Sequence, residues 1–395
     1  MPSTTAVTAR LLVLASVALA ACGPARQPVG ASVSVAEAMS GDTVGYARAD
    51  RVRDFVFPQD HGPHPAFKAE WWYVTGNVRA TDGTDRRFGI QFTVFRSALA
   101  PDTAAHREAS RASAWGASQL YMAHTAIGDV AAEMFYDQER FSRGAAGLAG
   151  ASSRPVEAFL GPVRLEATGP ADGPVPIRLT GSAEGAAFDL EAAPLKPIVL
   201  QGDRGLSQKG AGAGNASYYY AQTRMATTGT VTLPDGEAVP VEGLTWLDRE
   251  WSTSALGPDQ VGWDWFALHL EDGRDLMLYQ LRRTDGSKDP LSKGSLVLED
   301  GTKIHLNADE YTLTPLETWS SPLGGDYPTR WRLAVPSQNL DLEVEAAFLE
   351  QELDATVRYW EGAVDVSGSH AGVGFLEMTG YADGLEGNAR PTPTL

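Results

Sequence analysis

The sequence predicts an all-β, antiparallel protein built as a barrel or sandwich, and three observations carry that prediction. Asp-Gly occurs seven times, at Asp82, Asp172, Asp235, Asp272, Asp285, Asp300 and Asp383, and this dipeptide favours two-residue hairpin turns whose central residues tolerate positive φ. Apolar residues alternate around these turns. Phe88, Ile90, Phe92 and Val94 take one face of a strand, Leu296 and Leu298 stand across Asp300-Gly301 from Ile304 and Leu306, and Leu340, Leu342 and Val344 alternate with acids. Long helical periodicity is nearly absent, and 24 prolines with 41 glycines would interrupt it.

One pattern appears twice: an aromatic strand, an Asp-Gly turn, and an alternating strand that ends in arginine. The first copy is EWWYVTGNV (70–78), Asp82-Gly83 and FGIQFTVFR (88–96); the second is WDWFALHL (263–270), Asp272-Gly273 and LMLYQLR (276–282). The repeat predicts two similar barrels in tandem, an N-terminal domain over 51–254 and a C-terminal one over 255–395, joined near Ser254 to Pro258.

The N-terminus reads as a lipoprotein leader. Arg10 supplies a positive n-region, Leu11 to Ala20 an apolar h-region, and Leu19-Ala20-Ala21-Cys22 a lipobox. The apolar run is shorter than the ~20 residues a membrane-spanning helix needs. Cys22 is the only cysteine in the chain, so it is expected to carry lipid rather than a disulfide, and acyl chains there would anchor the protein. No aspartate follows Cys22, which points to the outer membrane facing the periplasm. Residues 22–50 read as a flexible tether.

Charge and motifs narrow the function. The formal charge of −18 becomes −19 once Arg10 leaves with the leader, which argues against nucleic acid and against docking on anionic lipid heads. No Gly-x-Ser-x-Gly elbow, phosphate loop or dinucleotide fingerprint occurs, so no cofactor is expected. Asp60, His61 and His64 are close in sequence, but Pro63 and Pro65 deny them a helix and no further ligand cluster stands out among the seven histidines. No metal is assigned there, and a loop network that closes the barrel, with His61 and Glu70 in it, is the leading reading.

Four segments in order, FPQDHGPHPAFKAEWWYVTGN (57–77), GLTWLDREWST (243–253), GWDWFALHLEDGRDLMLYQLR (262–282) and YWEGAVDVSGSHAGVGFLEMTGY (359–381), resemble the AttH and CrtC group of lipocalin-like proteins, which includes the carotenoid 1,2-hydratases and exported relatives labelled predicted hydrolases. The resemblance implies two lipocalin-like barrels in tandem, a mostly apolar pocket near their junction, and polyene, isoprenoid or other lipid-like ligands. It also carries the hydratases' essential aspartate onto Asp248. The likeness is nearer to the AttH-type relatives. This chain has Trp246 where the hydratases have tyrosine, Arg249-Glu250-Trp251 in place of Asn-Trp-Gly, and Tyr218-Tyr219-Tyr220 in place of a His and Trp pair.

Hydrating an unactivated alkene requires a carboxylic acid kept protonated near neutral pH, and aromatic faces beside the cation it creates. On a strand, Trp246, Asp248 and Glu250 share one face and Leu247, Arg249 and Trp251 the other, so Asp248 is the first acid candidate, with Glu250 a like charge nearby. The bland alternative is an ion pair between Asp248 and Arg249. Asp264 is the second acid candidate, with Arg282 or Arg96 as its partner. Ligand contacts are expected from His61, Glu70, Trp72, Tyr73, Tyr219, Trp246, Trp251, Trp263, Trp265, Arg96 and Arg282, although one of Trp71 and Trp72 must face a core and the two arginines read equally well as barrel-end caps. Two functions stay open: an alkene hydratase, isomerase or cyclase, and a lipid carrier or presenting module that serves a neighbouring ABC export system.

Overall fold

The computed structural model describes residues 43–113, 115–253, 256–257 and 259–382. The leader, Cys22, most of the tether, Ser254, Ala255, Pro258 and Asp383 lie outside the described residues. Those described fall within one unit, Val33–Leu395.

The first sheet holds β1 (Ala69–Ala80), β2 (Arg87–Ala98), β3 (Gln119–Asp129), β4 (Met134–Arg143), β5 (Ala149–Ser153), β6 (Val156–Leu160), β7 (Val163–Ala167), β8 (Ile177–Ala183), β9 (Ala186–Pro194), β10 (Val199–Leu200), β11 (Leu206–Gln208), β12 (Ala216–Thr232) and β13 (Ala238–Ser252). The second holds β14 (Gln260–Leu270), β15 (Asp275–Arg283), β16 (Lys293–Val297), β17 (Lys303–Asn307), β18 (Thr312–Ser320), β19 (Asp326–Val335), β20 (Leu340–Ala346), β21 (Glu352–Leu353), β22 (Tyr359–Gly368) and β23 (Gly372–Thr379). The first runs β4-β3-β2-β1-β13-β12-β9-β8-β7-β6-β5, with β10 and β11 on β12; the second runs β17-β16-β15-β14-β23-β22-β20-β19-β18, with β21 on β22. In each sheet the opening strand lies between the second strand and the last, which is the structural form of the sequence repeat. The first sheet nearly closes into a barrel and the second curls into a half-barrel, matching tandem lipocalin-like barrels. A two-turn helix, Ala104–Arg111, joins β2 to β3.

Alternation placed the cores. Phe88, Ile90, Phe92 and Val94 are fully buried inside the first sheet, and Leu296, Leu340, Leu342 and Val344 inside the second. The hairpin sites also hold, but their turn type differs from the expected one. At five of the seven Asp-Gly pairs, glycine alone takes positive φ (78° to 90° at Gly83, Gly236, Gly273, Gly286 and Gly301). The aspartate keeps ordinary φ, because its carboxylate accepts the N–H two residues on, as at Thr84 (3.0 Å) and Thr302 (2.8 Å). Asp172-Gly173 lies between β7 and β8 in a longer link, where the Gly173 carbonyl accepts from His61. Residues 43–50, assigned to the tether from sequence, pack on the first sheet. Ala49 is fully buried beside Tyr218 and Trp251, and Arg48 donates to Asn215 at 3.0 Å.

Polar groups lock the two sheets together. Asp275 of β15 is fully buried and pairs with Lys196 (2.7 Å), just past β9, and with Arg224 (2.8 Å) of β12, and Asn77 of β1 donates to the Gly374 carbonyl (2.9 Å). Gly89 on β2 lets the sheets close up: a Cβ there would lie 2.9 Å from the Ala363 methyl of β22. Such fixed contacts hold the facing surfaces of the sheets in one geometry.

Candidate active site

The facing surfaces are built by β1, β12 and β13 on one side and β14, β22 and β23 on the other. Antiparallel register puts Tyr73 of β1 and Ala221 of β12 opposite Asp248, and Trp71 and Tyr219 opposite Glu250, so these residues share the face that looks toward the second sheet. From the other side β14 contributes Trp263, Trp265 and His269, while Asp264 and Phe266 turn into the second sheet's own core. Tyr73, Tyr219, Trp246, Trp265, Tyr279 and Phe375 pack into one buried cluster. Trp265 meets Tyr73 edge-to-face at 5.3 Å and Trp246 at 6.4 Å.

Asp248 sits in this aromatic setting, 3% exposed. Its Oδ2 accepts from the Tyr219 hydroxyl (2.7 Å) and its Oδ1 from Trp246 Nε1 (2.8 Å). Among the described residues no cation pairs with it. The nearby Lys209 pairs with Glu250 at 2.7 Å; that oxygen makes no well-directed hydrogen bond, but at this separation the charges still neutralise each other. Burial pushes the Asp248 carboxyl up to about 8, the Trp246 and Tyr219 hydrogen bonds and the Lys209 charge acting against it and the Glu250 charge with it. The alternative ion pair with Arg249 does not form. Arg249 leaves the opposite face of β13, as alternation requires, and pairs with Glu70.

Two further carboxyls face the same junction, and sequence reasoning passed over both. Glu361 of β22 and Glu377 of β23 are direct cross-strand partners. The Tyr73 hydroxyl donates to Glu361 (2.6 Å) and Trp263 Nε1 to Glu377 (3.2 Å). Burial raises both; it is reinforced by the Glu377 charge at Glu361, and it lifts Glu377 to about 7. Their signal lay in strands whose two faces are both apolar, YWEGAV and GFLEMT, each carrying one acid with no base beside it. Lys209, in the loop after β11, gave no such signal.

The other predicted ligand residues fall in two separate places. His61, Glu70, Trp72, Arg96 and Trp251 form a network within the first sheet, on the far side of β1 and β13 from Asp248. Glu70 is fully buried between Arg96 and Arg249, and although burial alone would raise its carboxyl, these two cations hold it well below the ordinary range. Arg249 lies 3.8 Å over the Trp72 ring, His64 stacks on Trp251 at 3.7 Å, and Trp72 Nε1 donates to the His61 carbonyl (2.9 Å). His61 Nε2 donates to the Gly173 carbonyl (2.8 Å), so Nδ1 accepts from the Tyr220 hydroxyl (2.6 Å). These contacts join the loop before β1 to β1, β2, β12 and β13 in one polar network. Arg96 caps through Glu70 and the Phe67 carbonyl (2.8 Å) rather than by stacking on tryptophan.

Asp264 and Arg282 mark the second place, at the mouth of the half-barrel. Asp264 is fully buried and accepts from Gln280 (2.8 Å) and Tyr381 (2.9 Å), with Arg282 at 3.4 Å; Arg282 stacks on Tyr381 at 3.6 Å. Gln280, Arg282, Trp331 and Tyr381 line a cleft of about 580 Å³ there. Since Asp264 and Trp265 alternate on β14, this cleft and the Asp248 cluster lie on opposite faces of that strand.

Comparison with known proteins agrees with this architecture. Among solved structures, that of a Nitrosomonas europaea protein assigned as AttH is 32% identical, with a TM-score of 0.73 over 85% of this chain and 99% of that one. Kievitone hydratase from Nectria haematococca is 15% identical, with a TM-score of 0.61 over 85% and 95%, a likeness of fold. No curated protein sequence matches the chain. The AttH-like profile matches residues 48–381, a stretch that takes in both sheets and the junction between them, and the chain therefore belongs to the AttH-like family.

Proposed function

We propose that this protein binds an apolar, alkene-containing lipid of the isoprenoid or polyene class at the sheet junction and protonates it with Asp248. One observation carries the reading: a carboxyl that is buried, forms no ion pair among the described residues and is pushed up to about 8 holds its proton at neutral pH. Asp248 gives that proton to an alkene carbon, leaving a tertiary cation that the faces of Trp246, Trp265 and Tyr73 stabilise. Capture by water makes this hydration; loss of a different proton makes it isomerisation, and attack by a second alkene makes it cyclisation. Trp71 and Trp263 stay partly exposed at the junction, which suits a rim where an apolar chain enters. The same rim also suits a carrier that presents its ligand to an ABC export system. Titrating a polyene or long-chain isoprenoid into the purified protein is expected to quench tryptophan emission saturably, with an affinity that hardly changes with salt because the contact is apolar. Saturable binding of short sugars or peptides, with none of lipids, would remove enzyme and carrier together.

We further propose that acyl chains on Cys22 hold the mature protein at the outer membrane, facing the periplasm. The lipobox and its sole cysteine support this. Cys22→Ala should then lose incorporation of labelled palmitate and yield soluble or unprocessed protein. Equal labelling of parent and variant would exclude the anchor.

A further inference from the structure

We propose that the Glu361–Glu377 pair is the acid–base partner of Asp248 and that Tyr359, His124 and Glu139 form a relay through which Glu361 exchanges its proton with solvent. This rests on the junction being the reaction site. The two glutamates are direct cross-strand neighbours on one face, and two such carboxyls at close range retain a proton between them. From Glu361 a hydrogen-bonded line leads outward. The Tyr359 hydroxyl bonds Glu361 and lies 2.7 Å from His124 Nδ1; His124 Nε2 lies 3.0 Å from Glu139 Oε1. His124 is 1% exposed, and its ring is held between Phe95 (5.4 Å) and Tyr359 (5.6 Å). Glu139, whose side chain is 19% exposed, reaches solvent and is fixed by Thr356 through its N–H (3.1 Å) and hydroxyl (2.7 Å).

The donor directions along this line follow the protonation of Glu361. With Glu361 ionised, the Tyr359 hydroxyl donates to its carboxylate; with Glu361 protonated and His124 neutral, Glu361 donates to Tyr359, Tyr359 to His124 Nδ1 and His124 Nε2 to Glu139. In that second setting every member points its proton outward. In hydration Asp248 loses its proton to the alkene carbon, the water oxygen bonds to the cation, and that water sheds one proton. The glutamate pair takes it as Glu361 releases another along Tyr359 and His124 to Glu139 and solvent. Asp248 regains a proton from solvent, and the net change is alkene plus water to alcohol. In this scheme Glu361 and Glu377 receive the proton of the reacting water; Tyr359, His124 and Glu139 act through them and are positioning residues.

Infrared spectroscopy of the full-length protein tests this without any ligand, so its outcome is separate from that of the Asp248 reading. The carbonyl stretch of protonated Glu361 is the band that vanishes in Glu361→Gln. Should that variant fail to fold, Tyr73→Phe, which removes only the hydroxyl donating to Glu361, identifies the same band by its change of frequency. On rapid transfer to deuterated water this band shifts as its proton exchanges. Tyr359→Phe and Glu139→Gln should slow the shift by about tenfold or more, while the band lost in Asp248→Asn keeps its rate. A Glu361 that contributes no protonated-carboxyl band, or that exchanges as fast in Tyr359→Phe as in the parent, overturns the proposal.

Discussion

Asp248→Asn is expected to retain ligand binding and to lower turnover by ~10²–10⁴-fold, the loss typical of general acid catalysis. Asparagine keeps the shape and can still meet Tyr219 and Trp246, but it has no acidic proton. The same change should alter stability in a pH-dependent way whose sign is fixed. Asp248 has a folded-state value of about 8, above the ordinary 3.8, so the folded protein holds a proton that the unfolded chain gives up. Its contribution is fully present below the ordinary carboxylate range and is lost as pH rises toward about 8, at up to roughly 1.4 kcal/mol per pH unit. Parent and variant should therefore unfold at similar denaturant concentrations near pH 4 and diverge above it, with Asp248→Asn the more stable at pH 9. Part of the slope persists in the variant, because Glu361 and Glu377 are raised in the same direction. Curves that stay parallel from pH 4 to pH 9 would mean that Asp248 is ionised throughout.

Glu70→Gln should produce the largest loss of stability of any single substitution considered, and no comparable loss of chemistry in the protein that stays folded. It leaves Arg96 and Arg249, 1% and 0% exposed as side chains, without their shared counter-charge. Removing one partner of a fully buried pair costs about 3–5 kcal/mol, since the remaining charge stays desolvated. The pH dependence is opposite to that of Asp248. Glu70 is depressed in the folded state, so its contribution is present above the ordinary glutamate range and is lost as pH falls below it, and the gap between parent and variant should narrow in acid. Urea unfolding at pH 7 and pH 3 measures both effects. A change below about 1 kcal/mol at pH 7 would place the network among surface-like ion pairs.

How much of this was legible in the sequence follows from which residues depend on local pattern alone. Alternation with a period of two assigns each residue of β13 to its face, so the separation of Asp248 from Arg249 is legible in the sequence. It likewise put Trp263 and Trp265 on one side of β14 and Asp264 on the other. What alternation cannot tell is which face meets which partner. Asp264 and Asp248 both read as acids on aromatic strands, yet one lies in the mouth of the half-barrel and the other at the junction. That difference depends on how the two sheets come together. The turn sites were visible for the same local reason, whereas the turn type hinged on aspartate side chains bonding their own backbone. Glu361, Glu377 and Lys209 escaped notice because their significance is entirely tertiary: the two glutamates lie more than a hundred residues beyond Lys209 and Asp248 in the chain, and all matter only where the two sheets meet.

On the proposed mechanism a protonated Asp248 delivers its proton to carbon. The most direct test incubates the parent with an alkene lipid it demonstrably binds, in deuterated water, and reads the ligand by mass spectrometry. One deuterium is expected at the carbon that receives the proton, accumulating in the parent and absent with Asp248→Asn. A parent that binds the lipid and leaves it unlabelled would contradict the catalytic claim and leave the protein a carrier.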